Sequence, residues 1–339
     1  MFTDCDYNFA KKIQMPMPEQ LAEECPVSTS QRAAILQARQ SIADILAGRD
    51  RRLLLVVGPC SVHHPEPALK YAEELNELRL KYAKQLFIVM RCYVEKSRTG
   101  NTWPGFALDP DLDASFDCIK GVYESRKLMC AIAELGLPMG MEYVFPNISR
   151  YFIDLISWGC VGARSVEAPD LRFFASGVNM PVGVKNSMTG DVAVALRAMQ
   201  VIEKPQFAFL GNEAGITTGN ANAHLVLRGS SEAGHCLSSD EIRAFATLQA
   251  KMGLHNGIMV DCSHGNALAA EGQGKALRAI IKIFPHVKEC ISGIMLESFL
   301  ESGKTVPTGE NIRRGCSITD SCLGLEETKV LIEEICEYL

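Results

Sequence analysis

Six cationic side chains stand at or just after the ends of short apolar runs, where buried strands would end. They are Arg91, Lys96, Arg98, Arg164, Lys185 and Arg228. An unpaired charge is costly to bury, so cations in such places need an anion or an acidic side chain beside them. Arg captures carboxylate and phosphate groups bidentately and Lys acts as a compact point charge. The set could hold more than one anionic group, although a structural ion pair explains any single member as well as a functional role does.

A second set combines a thiol, an imidazole and two carboxylates. Its members are Cys60, His264, Glu297 and Asp320. This mixture suits a divalent metal such as manganese, iron, cobalt or zinc, and suits calcium or magnesium poorly. Each of these residues by itself also has an ordinary structural interpretation. Cys60 would be a core residue, His264 a hydrogen-bonded histidine, and Asp320 a helix N-cap before LGLEET. Their coincidence at predicted strand ends favours a metal site.

The elements that must position these residues are eight short apolar runs separated by amphipathic stretches. The runs are LLLVVGPC, FIVMR, PMGME, VGAR, VGVK, HLVLR, IMVDCSH and IMLE. Each ends in a charged or metal-binding residue, in order Cys60, Arg91, Glu142, Arg164, Lys185, Arg228, Asp261 with His264, and Glu297. Near-continuous aliphatic runs are typical of parallel strands covered on both faces. Strand and helix alternating about eight times predicts an α/β fold, a (β/α)8 TIM barrel with its active site at the carboxyl ends of the strands.

The predicted domain organisation is an N-terminal extension over residues 1–50, for capping or subunit contacts, followed by the catalytic barrel over residues 51–339. A helix is expected from Ser30 to Leu46 in the extension. Further helices are expected at about 66–83, 114–135, 150–157, 191–202, 239–252, 267–283 and 325–338. The loop from Gly211 to Ala223 has the Gly and Asn content of a mobile hairpin or turn.

Composition narrows the class of protein. The 339 residues are 47% hydrophobic and 22% charged, as in a folded protein with a large core. A net charge of −6 argues against nucleic acid as the main partner, so the local cations point to a smaller anion such as a phosphorylated metabolite. No apolar run approaches the roughly 18 residues of a membrane span, and no secretory signal is evident. The 13 cysteines lack a C-x-x-C pair, which fits reduced thiols in the cytoplasm.

Seven ordered segments match a known family. They are GPCS at 58–61, MRCYVEKSRT at 90–99, SWGCVGARS at 157–165, PVGVKN at 181–186, LRG at 227–229, DCSH at 261–264, and SITD with CLG at 317–324. On these segments the chain resembles the microbial class I, phenylalanine- or tyrosine-type branch of 3-deoxy-D-arabino-heptulosonate-7-phosphate (DAHP) synthase. The resemblance covers nearly the whole chain. It implies a transferase that condenses phosphoenolpyruvate with D-erythrose 4-phosphate and water, releases phosphate, and opens the shikimate pathway to aromatic amino acids.

The resemblance also implies roles for individual residues. The divalent metal ion would be held by Cys60, His264, Glu297 and Asp320. The substrate-binding set would be Arg91, Arg98, Thr99, Ala163, Arg164, Lys185, Arg228 and Asp320, and the catalytic set Lys96, Cys60, His264 and Glu142. Within these sets, phosphoenolpyruvate would bind to Arg91, Arg164, Lys185 and Arg228. The aldose phosphate would bind to the KSRT segment at 96–99. Glu142 would organise water or protons, and Lys96 could protonate the developing alkoxide.

Two departures from the family pattern affect substrate and regulation. Ser97 stands where the aldose motif usually has proline, so the loop lacks a stiffening ring. The loop from Gly211 to Ala223 is shorter than in relatives, where it forms part of a hairpin at the aromatic amino-acid feedback site. Asn179 sits where a small residue helps to choose between phenylalanine and tyrosine. The sequence therefore predicts weak or absent inhibition by an aromatic effector.

Three other functions remain open at this stage. The related octulosonate-8-phosphate synthase is disfavoured by the KSRT segment, the N-terminal extension and the SITD–CLG segment. A paralogue that uses a different aldose phosphate in specialised metabolism is modestly supported by Ser97. A catalytically silent barrel that serves as a binding subunit is disfavoured because every expected ligand is present. A homodimer or homotetramer is expected from the family.

Overall fold

The computed structural model describes residues 8, 10, 12–100, 102–211, 213–230, 238–266, 270–306 and 314–339. Within them the strands are β1 (Leu53–Gly58), β2 (Leu86–Arg91), β3 (Met139–Tyr143), β4 (Trp158–Val161), β5 (Val182–Lys185), β6 (Phe207–Leu210), β7 (Glu213–Ile216), β8 (Ala223–Leu227), β9 (Ile258–Asp261) and β10 (Ile291–Glu297). All except β6 and β7 form a closed parallel barrel in the order β1-β10-β9-β8-β5-β4-β3-β2. The predicted (β/α)8 barrel is confirmed.

Strand register brings the predicted functional residues to one end of the barrel. Every residue of β1 is buried, as expected for a parallel strand that faces the barrel interior on one side and helices on the other. Gly58 at the end of β1 pairs with Glu297 at the end of β10. Arg91 at the end of β2 pairs with Gly140 of β3, and Lys185 at the end of β5 pairs with Val226 of β8. The carboxyl edge of the barrel therefore carries the charged side chains.

The helices surround the barrel. They are α1 (Pro18–Glu24), α2 (Thr29–Leu46), α3 (Pro65–Lys81), α4 (Cys118–Glu134), α5 (Pro146–Ser149), α6 (Pro169–Gly177), α7 (Val192–Ile202), α8 (Ser239–Lys251), α9 (Ala270–Val287) and α10 (Leu325–Tyr338). The first three residues of the helix expected at 267–283 lie outside the described residues. Crossing a lipid bilayer would need a longer or more apolar helix than any in the described part of the chain.

Helix α2 covers the opposite, amino-terminal end of the barrel. It begins with a capping box, in which the Ser28 hydroxyl accepts from the Gln31 N–H at 3.2 Å and the Gln31 side chain accepts from the Ser28 N–H at 2.7 Å. Its buried residues Ile42, Ile45 and Leu46 pack in one cluster with inward-facing side chains of the strands. The division of the chain at residue 50 stays a prediction.

The helix expected at 150–157 is wrong. Helix α5 ends at Ser149, and residues 150–157 form turns and bends. The carbonyls that a helix would use internally are taken by two buried guanidiniums. Arg126 donates to the Tyr151 carbonyl at 2.8 Å, and Arg39 donates to the Ile153 and Ile156 carbonyls at 2.6 and 2.9 Å. These bonds satisfy the backbone of a buried turn in place of helical bonds.

The expected hairpin lies slightly earlier in the chain than the sequence suggests. Strands β6 and β7 pair antiparallel, with Phe207 opposite Ile216, so the hairpin spans 207–216. Residue 212 at its turn lies outside the described residues. The side chains of Phe207, Phe209 and Ile216 are 57, 70 and 79% exposed. The hairpin thus presents an uncovered apolar surface, which we call the hairpin face.

Candidate active site

The four predicted metal ligands converge at the carboxyl end of the barrel. Cys60 follows β1, Glu297 ends β10, and Asp320 lies in the loop before α10; one ligand atom from each lies within 4.8 Å of the others. His264 follows β9, and its Nε2 lies 3.3 Å from Glu297 Oε1 and 3.9 Å from Asp320 Oδ2. Helix α10 is capped by Gly324, so the alternative that Asp320 is a helix N-cap is wrong.

The electrostatics of this cluster suit a cation. Burial, reinforced by the charge of Glu297, raises the pKa of the Cys60 thiol to about 12, so the group stays protonated at neutral pH until a metal ion displaces its proton. Burial would raise the pKa of Asp320, but Lys96 and His264 outweigh it and lower that pKa to about 2. A thiol that can ionise, an imidazole and two carboxylates form a donor set that a borderline divalent metal prefers. The residues present therefore fit the metal that the family pattern implies.

Arg91 is paired with one of these ligands. Its guanidinium is fully buried and donates to Glu297 Oε1 at 2.8 Å and to the Pro59 carbonyl at 3.3 Å. It also lies 4.0 Å from the centre of the Tyr93 ring. Burial works to lower the pKa of Arg91, but Tyr93 and Glu297 outweigh it and the pKa is raised, so Arg91 stays charged. Arg91 therefore forms a structural ion pair with Glu297 and is also the residue predicted to bind an anion.

Lys185 and Arg228 approach the cluster from β5 and β8. Lys185 is buried, and its Nζ donates to Asp261 Oδ2 at 2.7 Å. Arg228 is held through its main chain, because Asn186 accepts from the Arg228 N–H at 2.8 Å and donates to the Arg228 carbonyl at 3.0 Å. Burial lowers the pKa of Arg228. Asn186 and Asp261 are functional candidates missing from the predicted site residues. Their signals in the sequence are their positions at strand ends and their places in the matched segments PVGVKN and DCSH.

Lys96 is the buried member of the KSRT loop. Its Nζ lies 3.0 Å from the Cys60 carbonyl and 3.1 Å from Cys60 Sγ, next to the metal ligands. Burial acts to lower the pKa of Lys96, but Cys60 and Glu297 outweigh it, so the pKa is raised and the ammonium stays protonated. Lys96 thus lies beside Cys60, and its predicted role as the proton donor to the alkoxide stays a prediction.

The rest of the loop lies at the surface and contacts the end of β4. Arg98 is exposed and donates to Thr102 Oγ1 at 2.8 Å, while Thr99 Oγ1 accepts from Arg164 Nε at 2.9 Å. Strand β4 ends at Val161, so the VGAR run is a strand only in its first residue, and Ala163 and Arg164 lie in the following turn. The structure brings Thr99 and Arg164 together, although they are far apart in the sequence.

Glu142 faces the same turn from β3. An added Cβ at Gly162 would overlap the Glu142 carboxylate oxygen Oε1. Only glycine at position 162 leaves room for the carboxylate in its present place. The close approach of backbone and carboxylate explains why the run before Arg164 contains glycine.

Comparisons with known proteins agree over nearly the whole chain. Residues 24–333 match the family model of the DAHP synthetase I family. The chain is 39% identical over 328 residues to the Tyr-sensitive phospho-2-dehydro-3-deoxyheptonate aldolase of Escherichia coli (strain K12), which covers 94% of this chain and 91% of that protein. It is also 39% identical over 329 residues to the Trp-sensitive aldolase of Enterobacter agglomerans, with 94% and 93% covered.

A solved structure shares the fold. The phospho-2-dehydro-3-deoxyheptonate aldolase from Francisella tularensis SCHU S4 superimposes with a TM-score of 0.94 at 34% sequence identity and covers 98% of each chain. The similarity includes the barrel and the elements that precede it.

Proposed function

The chain belongs to the DAHP synthetase I family, and from this we propose that the residues converging at the carboxyl end of the barrel carry out that family's reaction. The enzyme condenses phosphoenolpyruvate with D-erythrose 4-phosphate and water to give 3-deoxy-D-arabino-heptulosonate 7-phosphate and phosphate, the first step of the shikimate pathway. The observation that carries the assignment of residues is the convergence of Cys60, His264, Glu297 and Asp320 beside buried cations.

Phosphoenolpyruvate binds to Arg91, Arg164, Lys185 and Arg228, with Ala163 donating from its backbone. Charged, rigidly held donors suit the carboxylate and phosphate groups. Arg91 and Lys185 are each held by a buried carboxylate, which keeps them in place before substrate arrives. Preorganised charges of this kind cost little reorganisation when an anion binds.

Erythrose 4-phosphate binds to the KSRT loop, through Arg98 and Thr99 at its phosphate and Lys96 at its aldehyde end. The missing proline ring at Ser97 is partly offset by hydrogen bonds that fix the loop. Lys96 N–H donates to the Pro104 carbonyl at 2.9 Å, and Thr99 is held by Arg164. These contacts support a loop that keeps a defined conformation without the proline ring.

The chemistry needs two anions brought together and one proton supplied. When bound, a divalent metal polarises the aldehyde oxygen. Carbon C3 of phosphoenolpyruvate attacks the aldehyde carbon, and Lys96, protonated as its raised pKa requires, gives its proton to the alkoxide. Water adds to the cationic C2 with Glu142 accepting its proton, and the hemiketal phosphate then loses inorganic phosphate. Most of the work of the protein is the positioning of two mutually repelling substrates.

The test is phosphate release from phosphoenolpyruvate and erythrose 4-phosphate with manganese, with iron, cobalt or zinc in its place, and with a chelator. Metal-dependent turnover that prefers erythrose 4-phosphate to arabinose 5-phosphate is expected. Turnover only with another aldose would instead support the specialised paralogue, and metal binding without any turnover would support the silent barrel.

An aromatic amino acid is the proposed class of effector, since relatives carry Tyr-sensitive and Trp-sensitive in their names. A cavity of about 350 Å³ lined by Arg39, Phe174, Asn179, Leu210 and Thr217 supports a binding place beside the hairpin. The shortened loop leads us to expect weak inhibition. Strong inhibition of phosphate release by low phenylalanine, tyrosine or tryptophan would contradict this.

A homodimer or homotetramer is proposed, with subunit contacts made by the hairpin face and the extension over residues 1–50. Exposed aromatic and aliphatic side chains on one small sheet favour burial against another copy. Light scattering tests this, and Phe209→Asp should shift the protein toward monomer. The absence of a C-x-x-C pair among the 13 cysteines supports a cytoplasmic location.

A further inference from the structure

We propose that Asp261 is a positioning residue that sets His264 for the metal ion and Lys185 for phosphoenolpyruvate at the same time. This inference rests on the function proposed above. It assigns a role to a carboxylate that belongs to neither the predicted metal-ligand set nor the predicted substrate-binding set.

The carboxylate of Asp261 is fully buried at the end of β9 and both of its oxygens are used. Oδ2 accepts from Lys185 Nζ at 2.7 Å and lies 2.8 Å from His264 Nδ1. Oδ1 accepts from the Ser263 N–H at 2.9 Å and from the Ser263 hydroxyl at 2.5 Å. A carboxylate surrounded by donors in this way cannot rotate to take another partner.

The contact with His264 selects one form of the ring. A carboxylate accepts hydrogen bonds and cannot donate them, so a 2.8 Å contact requires the proton on Nδ1. Two other donors lie farther from Nδ1, the Ser263 hydroxyl at 3.1 Å and the Lys185 ammonium at 3.4 Å, and both already donate to Asp261. With Nδ1 donating to Asp261, Nε2 is the ring nitrogen left for a metal ion, and it faces Glu297 and Asp320. Carboxylates that orient a histidine in this way are typical partners of metal-binding imidazoles.

The contact with Lys185 fixes the second cation. An ammonium has three donors on a flexible stem, and one bond to Asp261 leaves the other two for an anion. Without Asp261 the buried ammonium would lose its counter-charge and its position. One carboxylate thus supports both sites, and removing it should weaken both.

The experiment is Asp261→Asn, with two separate readouts. Manganese affinity is measured by electron paramagnetic resonance of the free ion, and phosphoenolpyruvate affinity by calorimetry on metal-free protein. We expect about a 10- to 100-fold loss of metal affinity, the usual effect of removing such a partner. We also expect weaker phosphoenolpyruvate binding without metal. Thermal melts and circular dichroism check folding.

Double variants show through which residue Asp261 acts. In a His264→Ala background, Asp261→Asn should cost no further metal affinity, and in a Lys185→Gln background it should cost no further phosphoenolpyruvate affinity. Undiminished losses in these backgrounds would overturn the proposal. The control for substitution of a buried carboxyl group is Glu95→Gln, where the side chain accepts from the Phe145 N–H at 2.8 Å and from Ser149 at 2.9 Å. The metal affinity of this variant should not change.

A measurement on the unaltered protein covers the case in which Asp261→Asn fails to fold. Nitrogen-15 spectra of histidine-labelled protein, with and without a diamagnetic metal such as cadmium, should show His264 protonated at Nδ1 and the metal at Nε2. A ring with its proton on Nε2 and none on Nδ1, or metal at Nδ1, would overturn the inference. Absence of metal-dependent turnover would instead count against the proposed function alone, because these readouts do not depend on turnover.

Discussion

Replacing Gly162 by alanine is expected to disable Glu142 while leaving the barrel folded. The new Cβ would overlap the Glu142 carboxylate, which must move by about 1 Å or more to restore contact distance. A misplacement of about 1 Å in a reacting group can cost roughly 10²-fold in rate, which is about 2.7 kcal/mol. Stability should change little, because the atom that must give way is the end of a side chain.

The assay is the kcat of phosphate release for Gly162→Ala in two backgrounds. In the parent we expect the loss of about 10²-fold. In Glu142→Ala, where no carboxylate remains to be displaced, Gly162→Ala should cost nothing further. Gly215→Ala, at a position with open space, is the control for the substitution itself. Full activity of Gly162→Ala in the parent, or an equal loss in both backgrounds, would refute the reasoning.

Three further predictions follow from the same cluster. Arg91→Met leaves Glu297 buried without its guanidinium, so urea unfolding with a chelator should show a loss of about 3–5 kcal/mol that manganese reduces, and equal losses in both conditions would contradict this. Ser97→Pro should lower the KM for erythrose 4-phosphate and not that for phosphoenolpyruvate; a raised KM would mean that the loop needs its freedom. Burial raises the pKa of Glu95 from 4.5 to about 8, so the folded state holds a proton that the unfolded state releases, and the free energy of unfolding should fall as pH rises from about 4.5 to 8. Glu95→Gln should flatten that pH dependence, and an unchanged slope would contradict the assignment.

The barrel could be predicted because its strands are buried along nearly their whole length. Runs such as LLLVVG at β1 are apolar at every position and do not alternate with polar residues. This pattern can be recognised in the sequence without knowing which side chains the strand contacts. The segment after α5 could not be predicted, because its apolar residues have helical spacing while its carbonyls are bound by Arg39 and Arg126 from distant helices. The spacing within a segment carries no information on such partners.

The sequence predicted which residues belong to the candidate site better than it predicted which of their side chains contact each other. Cys60 and Asp320 come together from opposite ends of the chain because β1 and β10 are neighbours, which the order of strands implies. Asp261 was not predicted as a site residue, since its importance lies in contacts with Lys185, 76 residues earlier, and with the next loop. Likewise, nothing in the sequence around Arg91 shows that Glu297 is its partner.

Closure of the barrel by its first and last strands has a consequence for synthesis in the cell. Strand β1 pairs with β10, so the edge of β1 stays open until residues 291–297 have left the ribosome. At about 5–20 residues per second, this leaves an unpaired apolar strand exposed for on the order of 10 seconds or more. Cys60 and Glu297 come into proximity only when β1 pairs with β10. A metal ion held by both residues would therefore bind only after the barrel has closed.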